Sequence, residues 1–174
     1  MTPVVMVPGF NGTAKQAMLV RLGKLLRERK LDARAVTLKS GRPSEGLAAE
    51  VAQLDALAGD GPLALVGRSF GGRVSARLAA RRELSALVLL GFPVRPPGKR
   101  RPDDEAALKA LTCPVLILQG EHDELGAPAL LRRLTRGMKN VELLVVKGAT
   151  HSYGRQELKV LAQAADWLSG RLAG

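Results

Sequence analysis

Leu63-Ala64-Leu65-Val66-Gly67-Arg68-Ser69-Phe70-Gly71-Gly72 is the stretch on which the reading of this chain turns. Leu63 to Val66 is a short apolar run of the kind that forms a buried strand, and Arg73 to Arg82 has helical spacing. Between them there is no loop of ordinary length. A chain that passes from strand to helix so sharply holds the intervening serine in a strained conformation, and glycines flank it because side chains there would collide. Gly67-Arg68-Ser69-Phe70-Gly71 in this context has the pattern of a turn that lifts a serine hydroxyl out of a sheet as a nucleophile. The same turn also suits plain packing of a helix on a sheet, or an anion held at the helix N-terminus. The rest of the chain has to decide.

Outward from this turn, apolar runs and helical patterns alternate from end to end. Strands are predicted over Pro3 to Val7, Ala33 to Leu38, Leu84 to Leu90, Val115 to Gln119 and Val141 to Val146. Helices are predicted over Leu47 to Leu57, Asp103 to Leu111, Ala127 to Arg136 and Gln156 to Leu172. One more carries Ala17, Leu19, Leu22, Leu25 and Leu26 on its apolar side, with Thr13 as N-cap. Continuous apolar strands between helices indicate a parallel sheet covered on both faces, an α/β three-layer sandwich joined by right-handed crossovers. The chain has 174 residues and no evident linker or repeat, so it reads as one domain over residues 1–174. At this size a fold buries roughly 70% of the surface its unfolded chain exposes.

Composition removes several classes of function. Hydrophobic residues at 46% and charged residues at 25% exclude wholesale disorder. One cysteine, Cys113, excludes a disulfide framework, and two histidines are too few for a Cys/His zinc site, so neither metal nor cofactor is expected. Met1 to Phe10 has no basic residue of a secretion signal and no apolar run is long enough to span a bilayer, so a cytoplasmic location without membrane association is expected. The net charge of +11 raises nucleic acid as a partner. However, most of the basic residues fall on helices as solvated faces, for example Arg21, Lys24, Arg27 and Arg29, and aromatics are only 3%, which removes stacking platforms. Nucleic acid is therefore not expected as the main partner. Oligomeric state is not readable from the sequence.

A serine nucleophile needs a base, and only His122 and His151 are available. In an open parallel sheet the loops at the carboxyl ends of the strands share one edge, where ligands bind. Ser69 follows the third strand, Asp123 the fifth and His151 the sixth, which brings all three to that edge. Their order along the chain, serine, acid, histidine, distinguishes this arrangement from the two other well-known serine hydrolase orders. Donors for a developing oxyanion are expected from the N–H of Phe70, at the start of a helix, and from the loop Pro8-Gly9-Phe10-Asn11-Gly12, where Phe10 comes first and Asn11 second.

These residues resemble the α/β-hydrolase superfamily over nearly the whole chain, specifically the small lid-less members similar to testis-expressed protein 30 and to the hydrolase-like domain of the third subunit of the NSL histone acetyltransferase complex. The resemblance is carried by Gly67 to Arg73, by Gly91-Phe92-Pro93-Val94-Arg95-Pro96-Pro97-Gly98-Lys99, by Leu118-Gln119-Gly120-Glu121-His122-Asp123 and by Ala149-Thr150-His151-Ser152. It implies Ser69 as nucleophile, Asp123 as orienting acid, His151 as base, and a six-stranded sheet in the order 2-1-3-4-5-6. Pro8-Gly9 stands where many relatives have His-Gly.

The expected activity is hydrolysis of a small ester or thioester through an acyl-enzyme, and the competing expectation is an interaction module that keeps the fold with little turnover. Phe92 and Tyr153, with Phe10 and Phe70, are the candidate apolar wall for substrate. Arg95, with Lys99, Arg100 and Arg101 on the same loop, is the candidate contact for an acidic substrate, although such a run also reads as a solvated loop.

Overall fold

A computed structural model describes residues 1–173. Its six strands are β1 (Val4–Val7), β2 (Ala33–Ala35), β3 (Ala64–Arg68), β4 (Ala86–Leu90), β5 (Val115–Gly120) and β6 (Val141–Val146). They form one sheet in the order β2-β1-β3-β4-β5-β6. All five neighbouring pairs are parallel. The helices are α1 (Ala17–Glu28), α2 (Ala48–Ala58), α3 (Phe70–Ala79), α4 (Pro102–Lys109), α5 (Pro128–Leu134) and α6 (Glu157–Leu172). The fold is the minimal α/β-hydrolase architecture, with helices on both sides of the sheet.

Strand alternation divides the core into two layers. Val5, Val7, Leu65, Leu87, Leu89, Val115 and Ile117 face α2, α3, α4 and α5, where they meet Leu54, Val74, Leu78, Leu108 and Leu131. Val4, Met6, Val66, Val88, Leu90, Leu116 and Leu118 face α1 and α6, against Leu19, Leu22, Leu161 and Leu168. Because both faces of the central strands are covered, successive residues of β1, β3, β4 and β5 are all buried and their sequences are continuous apolar runs, whereas the edge strands β2 and β6 are only partly covered.

Several expected boundaries shift, three of them for a clear local reason. The second strand leaves the sheet after Ala35, since β2 lies on the edge and its neighbour β1 ends at Val7 before Pro8; one more bond, Val36 N–H to the Met6 carbonyl at 3.0 Å, closes the ladder. Thr13 is not the cap of α1. Its Oγ1 accepts the Lys15 N–H at 3.1 Å in a tight turn, and the helix begins only at Ala17. Helix α3 begins at Phe70 and not at Arg73, with the glycines inside its first turn.

Asp104, fully buried in the first turn of α4, ties that helix to α3. Its Oδ2 accepts Arg73 Nε at 2.6 Å, and its Oδ1 accepts Arg77 Nε at 3.0 Å and Nη2 at 2.8 Å.

Candidate active site

Strand β3 ends at Arg68 and α3 starts at Phe70, so Ser69 alone makes the turn, at φ 50° and ψ −114°. This sparsely populated conformation costs on the order of 1–3 kcal/mol and persists only when its surroundings hold it. Here the Ser69 N–H donates to the Leu90 carbonyl at 3.0 Å and the Ser69 carbonyl accepts the Gly72 N–H at 2.8 Å. The flanking glycines are steric requirements. A Cβ on Gly67 would lie 2.4 Å from the Gly72 Cα, and one on Gly71 would lie 2.4 Å from the carbonyl oxygens of both Val7 and Pro8.

The carboxyl-end loops bring the two other expected residues to this serine. His151 Nε2 lies 2.8 Å from Ser69 Oγ, and its Nδ1 lies 2.7 Å from Asp123 Oδ2. Asp123 is buried, while the imidazole is 22% exposed at the mouth of the site. A hydroxyl bonded to an imidazole whose far nitrogen meets a buried carboxylate can be deprotonated as it attacks, because the carboxylate fixes the tautomer and stabilises the imidazolium. His122 stands apart, exposed and 3.6 Å from Glu121.

Gln119, the residue before the last of β5, holds the acid in place and was not singled out from the sequence. Its buried amide donates to Asp123 Oδ2 at 3.1 Å, to the Phe92 carbonyl at 3.1 Å and to the Gly126 carbonyl at 2.7 Å, while its Oε1 accepts the Phe92 N–H at 2.8 Å. Leu125 N–H adds a bond to Asp123 Oδ1 at 2.9 Å. A lone polar residue inside an apolar strand was the available signal, since a buried amide requires partners. Gln119→Leu is expected to lower stability by about 1–3 kcal/mol through the orphaned Phe92 N–H and carbonyls. Loosening of Asp123 should reduce kcat up to about a hundredfold with KM nearly constant. Denaturant melts and steady-state kinetics on the same preparation check both.

Behind the histidine lies Arg68, also unforeseen. Its Nη1 donates to the Leu90 carbonyl at 3.1 Å and its guanidinium stacks 5.8 Å from the Tyr153 ring centroid. Burial pushes this guanidinium below its ordinary pKa, against the pull of Tyr153 and Asp123.

The side chains of the two residues expected to supply oxyanion donors touch. The rings of Phe10 and Phe70 meet edge to face at 5.6 Å and 78°. Gly12 N–H closes a turn on the Gly9 carbonyl at 2.9 Å, and Gln16 Oε1 accepts the Gly9 N–H at 3.0 Å, which fixes the loop. Among the described residues, neither the Phe10 nor the Phe70 N–H has a hydrogen-bond acceptor outside its own element. The Asn11 side chain is engaged within the loop region, its Oδ1 accepting the Gly41 N–H at 2.8 Å.

A cleft of about 430 Å³ opens at Ser69, lined by Phe10, Pro43, Phe70, Arg73, Pro93, Pro96, Lys99, Arg101 and Leu125. The expectations for substrate contacts need correction here. Phe92 is fully buried in the core, and Tyr153 is buried with its hydroxyl donating to the Leu118 carbonyl at 2.6 Å; burial raises that phenol's pKa. Neither ring lines the cleft. Arg95 is absent from it as well, since it turns back to pair with Glu105 at 2.5 Å. Arg73 and Arg101 are the arginines that line it. Among the described residues, no group of three or more His, Cys, Asp or Glu could hold a metal ion, and no helix is long and apolar enough to cross a membrane.

Comparison with known proteins agrees with this architecture. A search of the curated proteins finds no match to the sequence. Among solved structures, Est1E from Butyrivibrio proteoclasticus is similar with a TM-score of 0.81 at 18% identity, over 99% of this chain and 89% of that one. A monoacylglycerol lipase from Paleococcus ferrophilus gives 0.79 at 17%, over 97% and 94% of the two chains. An alpha-beta serine hydrolase homologue from Coxiella burnetii gives 0.76 at 22%, over 98% and 85%. At these identities the likeness concerns the fold. The family model described as "Alpha/beta hydrolase domain" matches residues 28–169, and with it the turn at Ser69 and the loops of Asp123 and His151, so the chain belongs to the α/β-hydrolase family.

Proposed function

We propose that the protein is a serine hydrolase that cleaves small carboxylic esters or thioesters by acyl transfer through Ser69. The observation that carries this reading is the continuous hydrogen-bonded path from Ser69 Oγ through His151 to Asp123, at 2.8 and 2.7 Å. His151 takes the Ser69 proton as Oγ attacks the carbonyl carbon, and the oxyanion forms where the N–H groups of Phe10 and Phe70 can meet it. His151 then passes the proton to the departing alkoxide or thiolate, leaving an acyl-serine. Water, deprotonated by the same imidazole, attacks this acyl group and releases the carboxylic acid and free Ser69. A monoacylglycerol lipase and a dienelactone hydrolase share the fold, which supports ester bonds as the target.

Within the family, we group the chain with the small lid-less members on the strength of its motifs and of the short segment 91–101 between β4 and α4. The alternative is an interaction module with the same fold and little turnover. A fluorophosphonate probe distinguishes the two: wild type should be labelled stoichiometrically and Ser69→Ala should not. A folded wild-type protein that resists labelling overturns the hydrolase reading.

A further inference from the structure

We propose that the substrate bears an anionic group, a carboxylate or a phosphate, away from its scissile bond, and that Arg73 and Arg101 bind it within the cleft. The proposal rests on the acyl-transfer reading of Ser69 and narrows its substrate class. Arg73 lies one helical turn after Ser69 and is only 13% exposed. Its Nε is pinned by Asp104 Oδ2, and its guanidinium packs 5.7 Å from the Phe70 ring centroid. Its two terminal nitrogens have no protein acceptor among the described residues. Arg101 also lines the cleft, where Nη1 donates to the Pro93 carbonyl at 2.8 Å and Nε and Nη2 have no such acceptor. Two guanidiniums thus share the cleft of Ser69, each anchored at one nitrogen with others free.

The local charge is unbalanced. Asp104 is shared by Arg73 and Arg77, so one buried carboxylate serves two cations. Among the described residues Arg101 forms no ion pair, not even with Asp103 on the adjoining surface, and neither does Lys99 in the cleft wall. Burial, and then the like charges of Arg73 and Arg77 against the pull of Asp104, push the Arg101 guanidinium below its ordinary pKa. Partly desolvated cations that repel one another gain from an anion, and the planar fork of arginine fits carboxylate and phosphate in a bidentate manner. Arg95, on the same loop, differs because Glu105 already neutralises it.

The test compares kcat/KM for mono-4-nitrophenyl glutarate with that for 4-nitrophenyl pentanoate, an ester of equal chain length without the carboxylate. Wild type should favour the glutarate ester by about tenfold or more. The ratio should approach one in Arg101→Gln and in Arg73→Gln, and fall in wild type as salt is raised. Glutarate and inorganic phosphate should compete with pentanoate hydrolysis in wild type, and the stronger competitor identifies the preferred anion. A ratio at or below one, with no competition by either anion, overturns the proposal while leaving the hydrolase reading intact. If neither ester is turned over, the hydrolase reading has failed. Calorimetric titration of glutarate and phosphate then decides the anion site, which is overturned if neither binds more tightly to wild type than to Arg101→Gln.

Discussion

Alanine at His151 is expected to lower kcat for ester hydrolysis by about 10,000-fold to a millionfold, and alanine at Ser69 by a similar factor. The two residues act on one proton, so the double variant should be no slower than either single one. Once the hydroxyl has no base, or the base no hydroxyl, nothing further is left to lose. Asp123→Asn should cost about 10,000-fold, because an amide facing Nδ1 favours the wrong tautomer while leaving the 2.7 Å spacing almost unchanged. Exposed His122 supplies the control, and its glutamine variant should stay within about twofold of wild type. Steady-state rates corrected for intact folding measure all of these. A His151 variant within tenfold of wild type would sink the mechanism.

The second large effect concerns stability. Asp104→Ala removes the one carboxylate that faces Arg73 and Arg77, both of which are nearly buried. Two cations would then be held together without compensation between α3 and α4. Removing one partner of a buried ion pair costs about 3–5 kcal/mol, since the remaining charge stays desolvated. For a chain of this length that corresponds to a fall in Tm of about 6–20 °C. Asp103→Ala, one residue earlier and exposed, should change Tm by less than about 2 °C. Thermal melts of the two variants side by side check the prediction, and equal melting temperatures would refute it.

The sheet was legible in the sequence because both of its faces are covered. Every central strand had to be a continuous apolar run, and such runs can be counted without knowing how they pair. Ser69, Asp123 and His151 were legible for a related reason: each follows a strand, and the carboxyl ends of parallel strands share an edge. The direction of a side chain within a loop was not legible. Phe92 and Phe10 both follow strands, yet one fills the core and the other is 56% exposed, a difference set by which face the backbone turns toward after the strand. Arg73 and Arg95 were equally hard to separate. Each is a basic residue in a basic segment, and what distinguishes them is which guanidinium lines the cleft, which depends on residues brought close only by folding.

The segment joining β4 to α4 is made of two unlike halves. Its first part, with Phe92 and Val94 sunk in the core and Phe92 clasped by the same amide that steadies Asp123, is bound up with the hydrogen-bonded path from Ser69 to Asp123. Its second part, residues 95–101, runs over the surface and lends Pro96, Lys99 and Arg101 to the cleft. On the proposed acyl-transfer reading, exchanging the outer half is expected to retune ligand choice without disturbing the inner half that holds Asp123 in place.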